Sequence, residues 1–262
     1  MLYQEKINEI ETELVKARKL INYYKKAHEE FIMIASHDLQ APLRKLSTFV
    51  DRLLYKFREV QGDEVSNYVE RIQSTIEGMR KTIDGLFEIT YNSEVNPVFT
   101  KCSLNEILEQ LLTDLGSLIG EANATIECTA LPVVEGNPAA IKSLFENIIM
   151  NALKFQKKDI SSLIRISTAT VTEVERKKFC IDASSIYHKI VITDNGIGFD
   201  DQYSDKIFDP FVRLHGKSDY EGNGLGLALC KKIIERHQGF IYAKSNKNSG
   251  SSFVLFFPET HN

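Results

Sequence analysis

NPAAIKSLFENIIMNALKF, residues 137–155, is the stretch that decides the fold. Asn137 is an N-cap residue, and Pro138 suits the first helical position, where a missing N–H costs nothing. Behind them Ile141, Leu144, Phe145, Ile148, Ile149 and Ala152 recur at helical spacing and form one apolar face. Across the helix runs a polar stripe of Asn147, Asn151 and Lys154, at steps of four and three. A stripe of this kind ordinarily just meets water. Asn, however, is a poor helix-interior residue, because its amide competes for backbone hydrogen bonds. Two stacked amides and an ammonium instead make a cradle for phosphate oxygens and Mg2+.

On either side the texture is mixed. Ser103-Leu-Asn-Glu106 is a capping box that opens a helix to about residue 118. Strands are predicted over 124–129, 163–171 and 189–193, the last two around a polar excursion, and a helix over 225–237. Residues 240–245 and 251–257 form a hairpin around 246–250. Strands and helices together predict a two-layer α/β sandwich. Two glycine clusters fall within it. Asp194-Asn-Gly196-Ile-Gly198 ends a strand, where a carboxylate can accept an exocyclic amine and glycines let the backbone approach a ring; a tight turn is the alternative. Gly222-Asn-Gly224-Leu-Gly226 opens a helix, an arrangement suited to phosphate. It lacks the Walker lysine pattern, and no strand leads directly into it as a dinucleotide fingerprint requires. The loop-rich stretch before it carries Phe208, Phe211, Arg213 and Lys217 and could close as a lid.

Ahead of the Asn96-Pro97 boundary the chain reads as helix. Ile7, Ile10, Leu14, Ala17, Ile21, Tyr24, His28 and Phe31 alternate steps of three and four, a heptad seam best satisfied by a second copy in a parallel coiled coil. Leu39, Leu43, Leu46, Val50, Leu53 and Phe57 continue it, after a stutter between Ala35 and Leu43 and beside Pro42, where a bend is expected. A second helix presents Val65, Tyr68, Ile72, Ile76, Met79, Ile83 and Leu86. A lone hairpin leaves much apolar surface bare, so two are expected to pair into a four-helix bundle. His37 stands about 200° around the helix from both Ala35 and Leu39, pointing away from the seam. Asp38 follows it directly, a carboxylate able to take a proton from a nucleophilic imidazole.

Composition narrows the classes. A net charge of −4 with both signs interspersed offers no basic footprint for nucleic acid. No apolar run approaches the roughly 20 residues of a membrane span, and the polar N-terminus is no secretory signal, so a soluble chain is expected. Cys102, Cys128, Cys180 and Cys230 are scattered with no C-x-x-C pair, which fits reduced thiols in the cytoplasm, or the cytoplasmic part of a longer sensor.

In order and spacing the motifs resemble the sensor histidine kinases over residues 31–258. His37-Asp38-Leu-Gln-Ala-Pro42-Leu is similar to the phospho-acceptor box, in a form like that of bacteriophytochrome kinases. Residues 147–155 resemble the N box, 194–198 the first glycine box, 208–211 the F box and 222–226 the second glycine box. The resemblance implies an α+β chain: a coiled-coil signalling helix over 1–30, a dimerisation and phosphotransfer hairpin over 31–95, and an ATP-binding domain over 96–262. It implies ATP-dependent autophosphorylation of His37 with Asp38 as polarising base, then transfer to an aspartate of a response regulator. It gives Mg2+ to Asn151 and the phosphates or metal to Asn147 and Lys154. Asp194 would bind the adenine amino group, and Gly196, Gly198, Gly222, Gly224 and Gly226 would shape the ATP site and lid, with Phe208 and Arg213 in the lid region. Partners would be a second copy, a receiver domain and an upstream sensor outside this chain. Many members carry Thr or Asn four residues after the histidine; Ala41 stands there, so weak phosphatase activity is expected. An ATPase of the gyrase and MutL type and a dimeric scaffold with a degenerate site are the competing readings. The His37 hairpin argues against the first, and Asn151, Asp194 and the glycines against the second.

Overall fold

The computed structural model describes residues 14, 17, 18, 21, 24, 39, 40, 43–51, 55, 63–91, 99–214 and 224–259. The chain divides into two compact units, Met1–Val95 and Asn96–Asn262.

In the first unit residues 43–51 are helical, and helix α1 (Asp63–Tyr91) returns antiparallel to them. Leu43, Val50, Val69, Ile76 and Ile83 form one buried cluster. Its three α1 members stand seven residues apart and so keep to one narrow stripe. Gln40 Nε2 donates to Asp84 Oδ1 and Gln73 Nε2 to Asp51 Oδ1, both at 2.9 Å. This packing splits the predicted apolar face. Two helices bury only the stripes that face each other, so Leu39 (51% exposed), Leu46 (50%), Ile72 (48%) and Met79 (53%) stay open. The seam positions Leu14, Ala17, Ile21 and Tyr24 are helical and exposed. The rest of the seam, the stutter, His37, Asp38, Ala41, Pro42, Leu53, Phe57 and the Asn96-Pro97 boundary lie outside the described residues, as do the side chains of Val65, Tyr68 and Leu86.

The second unit is built on a five-stranded sheet of β2 (Thr125–Cys128), β4 (Leu163–Ala169), β5 (Tyr187–Asp194), β7 (Gly250–Pro258) and β6 (Phe240–Asn246), in that spatial order. β2 and β4 are parallel, and the other neighbours antiparallel. A parallel pair needs a crossover helix. Helix α4 (Pro138–Lys154) supplies it, with Asn137 Oδ1 accepting from Ala140 N at 3.0 Å as the predicted N-cap. Its apolar stripe is fully buried at Ile141, Leu144, Phe145, Ile148 and Ile149. Helices α2 (Leu104–Asp114) and α6 (Gly226–Arg236) flank it. A short ribbon of β1 (Thr100–Ser103) and β3 (Val133–Gly136), absent from the sequence reading, closes one end. Ser103 caps α2, its Oγ accepting from Glu106 N at 3.4 Å, without the return bond from the Glu106 side chain that the predicted capping box calls for. α2 stops at Asp114, and after Leu115, with Gly116 weakening the run, a separate turn of helix α3 (Gly116–Glu121) follows. Among the described residues no helix is long and apolar enough to cross a membrane, and all four cysteines are free.

The polar excursion between β4 and β5 folds in part as a helix. It carries helix α5 (Glu173–Lys178), opened by a capping box at Thr172, and it covers the sheet face that α4 and α6 leave bare. Phe179, just past α5, stacks on Phe240, Phe256 and Tyr242 with ring centroids 4.9, 5.4 and 5.8 Å away. Glu175 is buried and fastens this cover. Its Oε1 accepts from Lys189 Nζ at 2.6 Å and Tyr242 OH at 2.7 Å, and its Oε2 from Thr172 N and Oγ1 at 2.8 Å each. Burial alone would push this carboxyl up. The bonds from Lys189, Thr172 and Tyr242 prevail and hold it down to about 2, from an ordinary 4.5. A lowered carboxyl stabilises the fold fully above pH 4.5 and loses that contribution as pH falls towards 2. Glu175→Gln, which leaves the largely enclosed Lys189 uncompensated, is expected to cost about 3 kcal/mol at pH 7. Thermal melting of both proteins should show the gap closing steadily below pH 4.5; a gap independent of pH would contradict the assignment.

Candidate functional site

A cavity of about 280 Å³ opens between α4, the end of β5 and the start of α6. Eight of the residues singled out in the sequence line it: Asn147, Asn151, Lys154, Asp194, Gly198, Arg213, Gly224 and Gly226. They come from separate segments, and the sandwich brings them to one place. Gly196 lies just behind the wall: a Cβ there would stand 2.5 Å from the Phe155 carbonyl oxygen. Phe208 does not reach the cavity. It is 5% exposed, on a 3₁₀ turn (Lys206–Phe208) packed against α6, and its neighbour Ile207 lines the wall instead. Phe208, which the sequence reading places in the lid region, thus packs its side chain against α6 here. Gly222, His37 and Asp38 lie outside the described residues.

The helix side of the cavity is polar. α4 has the apolar sheet behind it, and its polar stripe of Asn147, Asn151 and Lys154 turns towards the opening, while Lys142 pairs with Asp114 elsewhere on the helix. Asn147 Nδ2 donates to the Ser143 carbonyl at 2.8 Å, which leaves its Oδ1 facing α6. There the fit is close: a Cβ on Gly226 would stand 2.5 Å from Asn147 Oδ1. A side chain at this position would push the Asn147 amide out of its present orientation. Among the described residues no side chain caps α6, and its N-terminal end, where the dipole is positive, lines the cavity at Gly226 and Leu227. Lys154 Nζ sits 4.7 Å over the Phe155 ring. Lys154 and Arg213 bring positive charge to the same wall, and polyanion oxygens suit this side best.

The sheet side is apolar around a single carboxylate. Asp194 ends β5, and its Oδ1 accepts from Gly196 N at 2.8 Å and Ser251 N at 3.2 Å. Burial pushes this carboxyl up, while the two amides and the charge of Lys157 pull it part of the way back. Ile197, Phe199 and Phe253 surround it. This pairing of a fixed acceptor with flat apolar walls suits an aromatic ring bearing an exocyclic amine. The loop after Asp194 is held from α4, where Ile197 N donates to the Phe155 carbonyl at 2.9 Å. Phe211 N donates to the Gly224 carbonyl at 3.0 Å, which ties the two edges of the described chain together here.

Sequence reasoning missed the apolar wall and Ser251. Ile197 sits inside the quoted motif, but its role was hidden among the glycines. Ser251 and Phe253 reach the cavity only through the pairing of β5 with β7, in which Ile192 faces Phe253 and Thr193 faces Ser252. Among the described residues no cluster of three or more His, Cys, Asp or Glu could hold a metal. The donor set that does fit a hard cation is the Asn151 amide beside a polyanion, the arrangement Mg2+ accepts because it keeps water and phosphate oxygens as its other ligands.

Residues 136–261 match the family described as histidine kinase-, DNA gyrase B-, and HSP90-like ATPase. The chain is 32% identical over 230 residues to the phytochrome-like protein Cph1 of Synechocystis sp., a match covering 88% of this chain and 29% of that protein. It is 25% identical over 236 residues to the sensor protein kinase WalK of Staphylococcus saprophyticus, covering 87% of this chain and 36% of that one. The chain thus spans about a third of the length of these curated relatives. Among solved structures, that of ShkA full-length in complex with AMPPNP shares the fold at a TM-score of 0.67 and 17% identity, covering 88% of this chain and 46% of that one.

Proposed function

We infer the activity from the premise that the chain belongs to the sensor histidine kinases: it moves the γ-phosphoryl group of ATP to its own His37 and then to an aspartate of a response-regulator receiver domain. The observation that carries the reading is the meeting of Asn147, Asn151, Lys154, Asp194, Gly224 and Gly226 in one cavity with an apolar and an electropositive side. Adenine occupies the sheet side, with its amino group donating to Asp194. The phosphates lie towards Lys154, Arg213 and the amides of α6. Asn151, with Asn147 beside it, holds Mg2+, which when bound offsets phosphate charge.

In the reaction a neutral imidazole nitrogen of His37 attacks the γ-phosphorus, the bond to the β,γ-bridging oxygen breaks, and ADP leaves. Asp38 takes the proton from the other ring nitrogen as positive charge develops. The receiver aspartate then attacks the phosphorus, the P–N bond breaks and the imidazole is restored. Two copies act together. The exposed seam at Leu14, Ile21 and Tyr24, and the open apolar positions Leu39, Leu46, Ile72 and Met79, support a parallel coiled coil running into a four-helix bundle. The site works in the cytoplasm as the output end of a longer sensor.

The test is to incubate the chain with γ-labelled ATP and Mg2+ and then add isolated receiver domains one at a time. Acid-labile, base-stable label on the chain, moving to one receiver within seconds to minutes, is the expected result. ATP turnover with no covalent label would favour an ATPase of the gyrase type instead.

A further inference from the structure

We propose, resting on the nucleotide reading above, that Ser245 is a positioning residue that sets the adenine end of the cavity. It sits near the end of β6, is 7% exposed and does not line the cavity. Its Oγ accepts from Phe199 N at 2.8 Å and donates to the Gly250 carbonyl at 2.7 Å. One hydroxyl thereby ties the loop that follows Asp194 to the turn between β6 and β7. The two flanking residues it holds lead straight into the wall: Phe199 lines it directly, and Gly250 is followed by Ser251, whose amide donates to Asp194 Oδ1 at 3.2 Å.

The rest of this clamp is backbone. Asn248 N donates to the Ile197 carbonyl at 2.7 Å, while Ile197 N is engaged by Phe155 on the other flank. Gly198, at φ +61°, passes between the carbonyls of Asn246 and Gly250, with Ser245 Oγ 2.9 Å from where a Cβ would be. The loop is thus gripped between the end of α4 and the β6–β7 turn, and Ser245 supplies the side-chain part of the turn's grip. Removing its hydroxyl leaves the Phe199 amide without this acceptor and takes one donor from the Gly250 carbonyl, inside protein where water does not readily replace it. The loop then relaxes, and Asp194 and the apolar wall lose the spacing that receives adenine. Asn151, Lys154 and Gly226 are carried by helices that the hydroxyl does not touch, so the phosphate side keeps its geometry.

The experiment measures nucleotide binding and autophosphorylation against ATP concentration for the wild type, Ser245→Ala, Ser245→Thr and Ser245→Cys. The expected result for Ser245→Ala is an ATP KM and Kd raised about tenfold with kcat within about twofold. Ser245→Thr, which keeps the hydroxyl, should restore ATP binding to within about threefold of wild type, and Ser245→Cys, a weaker donor and acceptor, should fall between. Wild-type affinity in Ser245→Ala, equal weakening in Ser245→Thr, or a fall in kcat at unchanged KM would each overturn the proposal. If Ser245→Ala does not fold, Ser245→Cys decides it by the same split: raised KM supports the role, wild-type KM ends it. Absence of ATP binding in the wild type would instead remove the nucleotide reading itself, and the two failures are separately visible.

Discussion

Replacing His37 by glutamine is expected to abolish phosphoryl incorporation from γ-labelled ATP while leaving ATP affinity within about twofold of wild type. Glutamine keeps size and polarity but offers no nucleophilic nitrogen, since its amide lone pair is delocalised into the carbonyl. The loss should be complete, because transfer to this site has no other acceptor. Retained ATP binding follows from the division of the chain: His37 belongs to the unit Met1–Val95, and every described wall residue of the cavity to Asn96–Asn262. Filter-bound label after alkaline treatment, read beside a nucleotide-binding titration, checks both halves. Label persisting in the variant would move the acceptor elsewhere, and loss of binding would mean that the substitution acts through folding. Asp38→Asn should lower the rate by about a hundredfold at unchanged affinity, the size of a general-base contribution.

The second large effect is at Asp194. Asp194→Asn is expected to weaken ATP binding by about a hundredfold with little change in melting temperature. The substitution keeps an Oδ1 that can go on accepting from Gly196 N and Ser251 N, so the local turn survives. What changes is the other atom of the head group, now a donor amide facing the donor amine of adenine. Two donors with no acceptor between them leave one unpaired in an apolar pocket, a larger penalty than simple loss of a bond. Calorimetric titration with ATP gives the number directly. Wild-type affinity would place adenine elsewhere in the cavity.

Much of this was legible in the sequence, and the reasons are local. Asn137-Pro138 and the stripe Asn147, Asn151, Lys154 were readable because capping and helical periodicity depend only on near neighbours. Asp194 stood out as a carboxylate ending a strand, and the glycines because close backbone approach leaves no room for a Cβ. Val69 was passed over beside Ile72 and Met79, since these apolar positions of α1 are chemically alike and only the partner helix selects which are buried within one hairpin. The ribbon of β1 and β3 escaped because Thr100–Ser103 is four residues long and lacks a hydrophobic pattern of its own. The 173–178 helix was hidden by its charges, whose apolar neighbour Phe179 supplies the packing. Ser245 carries no local signal at all. Its role arises from the register of β6 with β7, in which Ser245 faces Ser251.

The two cross-hairpin bonds, Gln40 to Asp84 and Gln73 to Asp51, act as pins at fixed stations. Sliding one helix along the other by a heptad would carry each amide about 10 Å from its carboxylate. It would also exchange Leu43 and Val50 for new neighbours in the buried stripe. Small slips are worse, because they turn the stripes out of register without offering a second set of partners. The hairpin is therefore stiff to longitudinal shear. A push or pull arriving along its axis works against these contacts, whereas tilt or torsion of the helix pair leaves them in place.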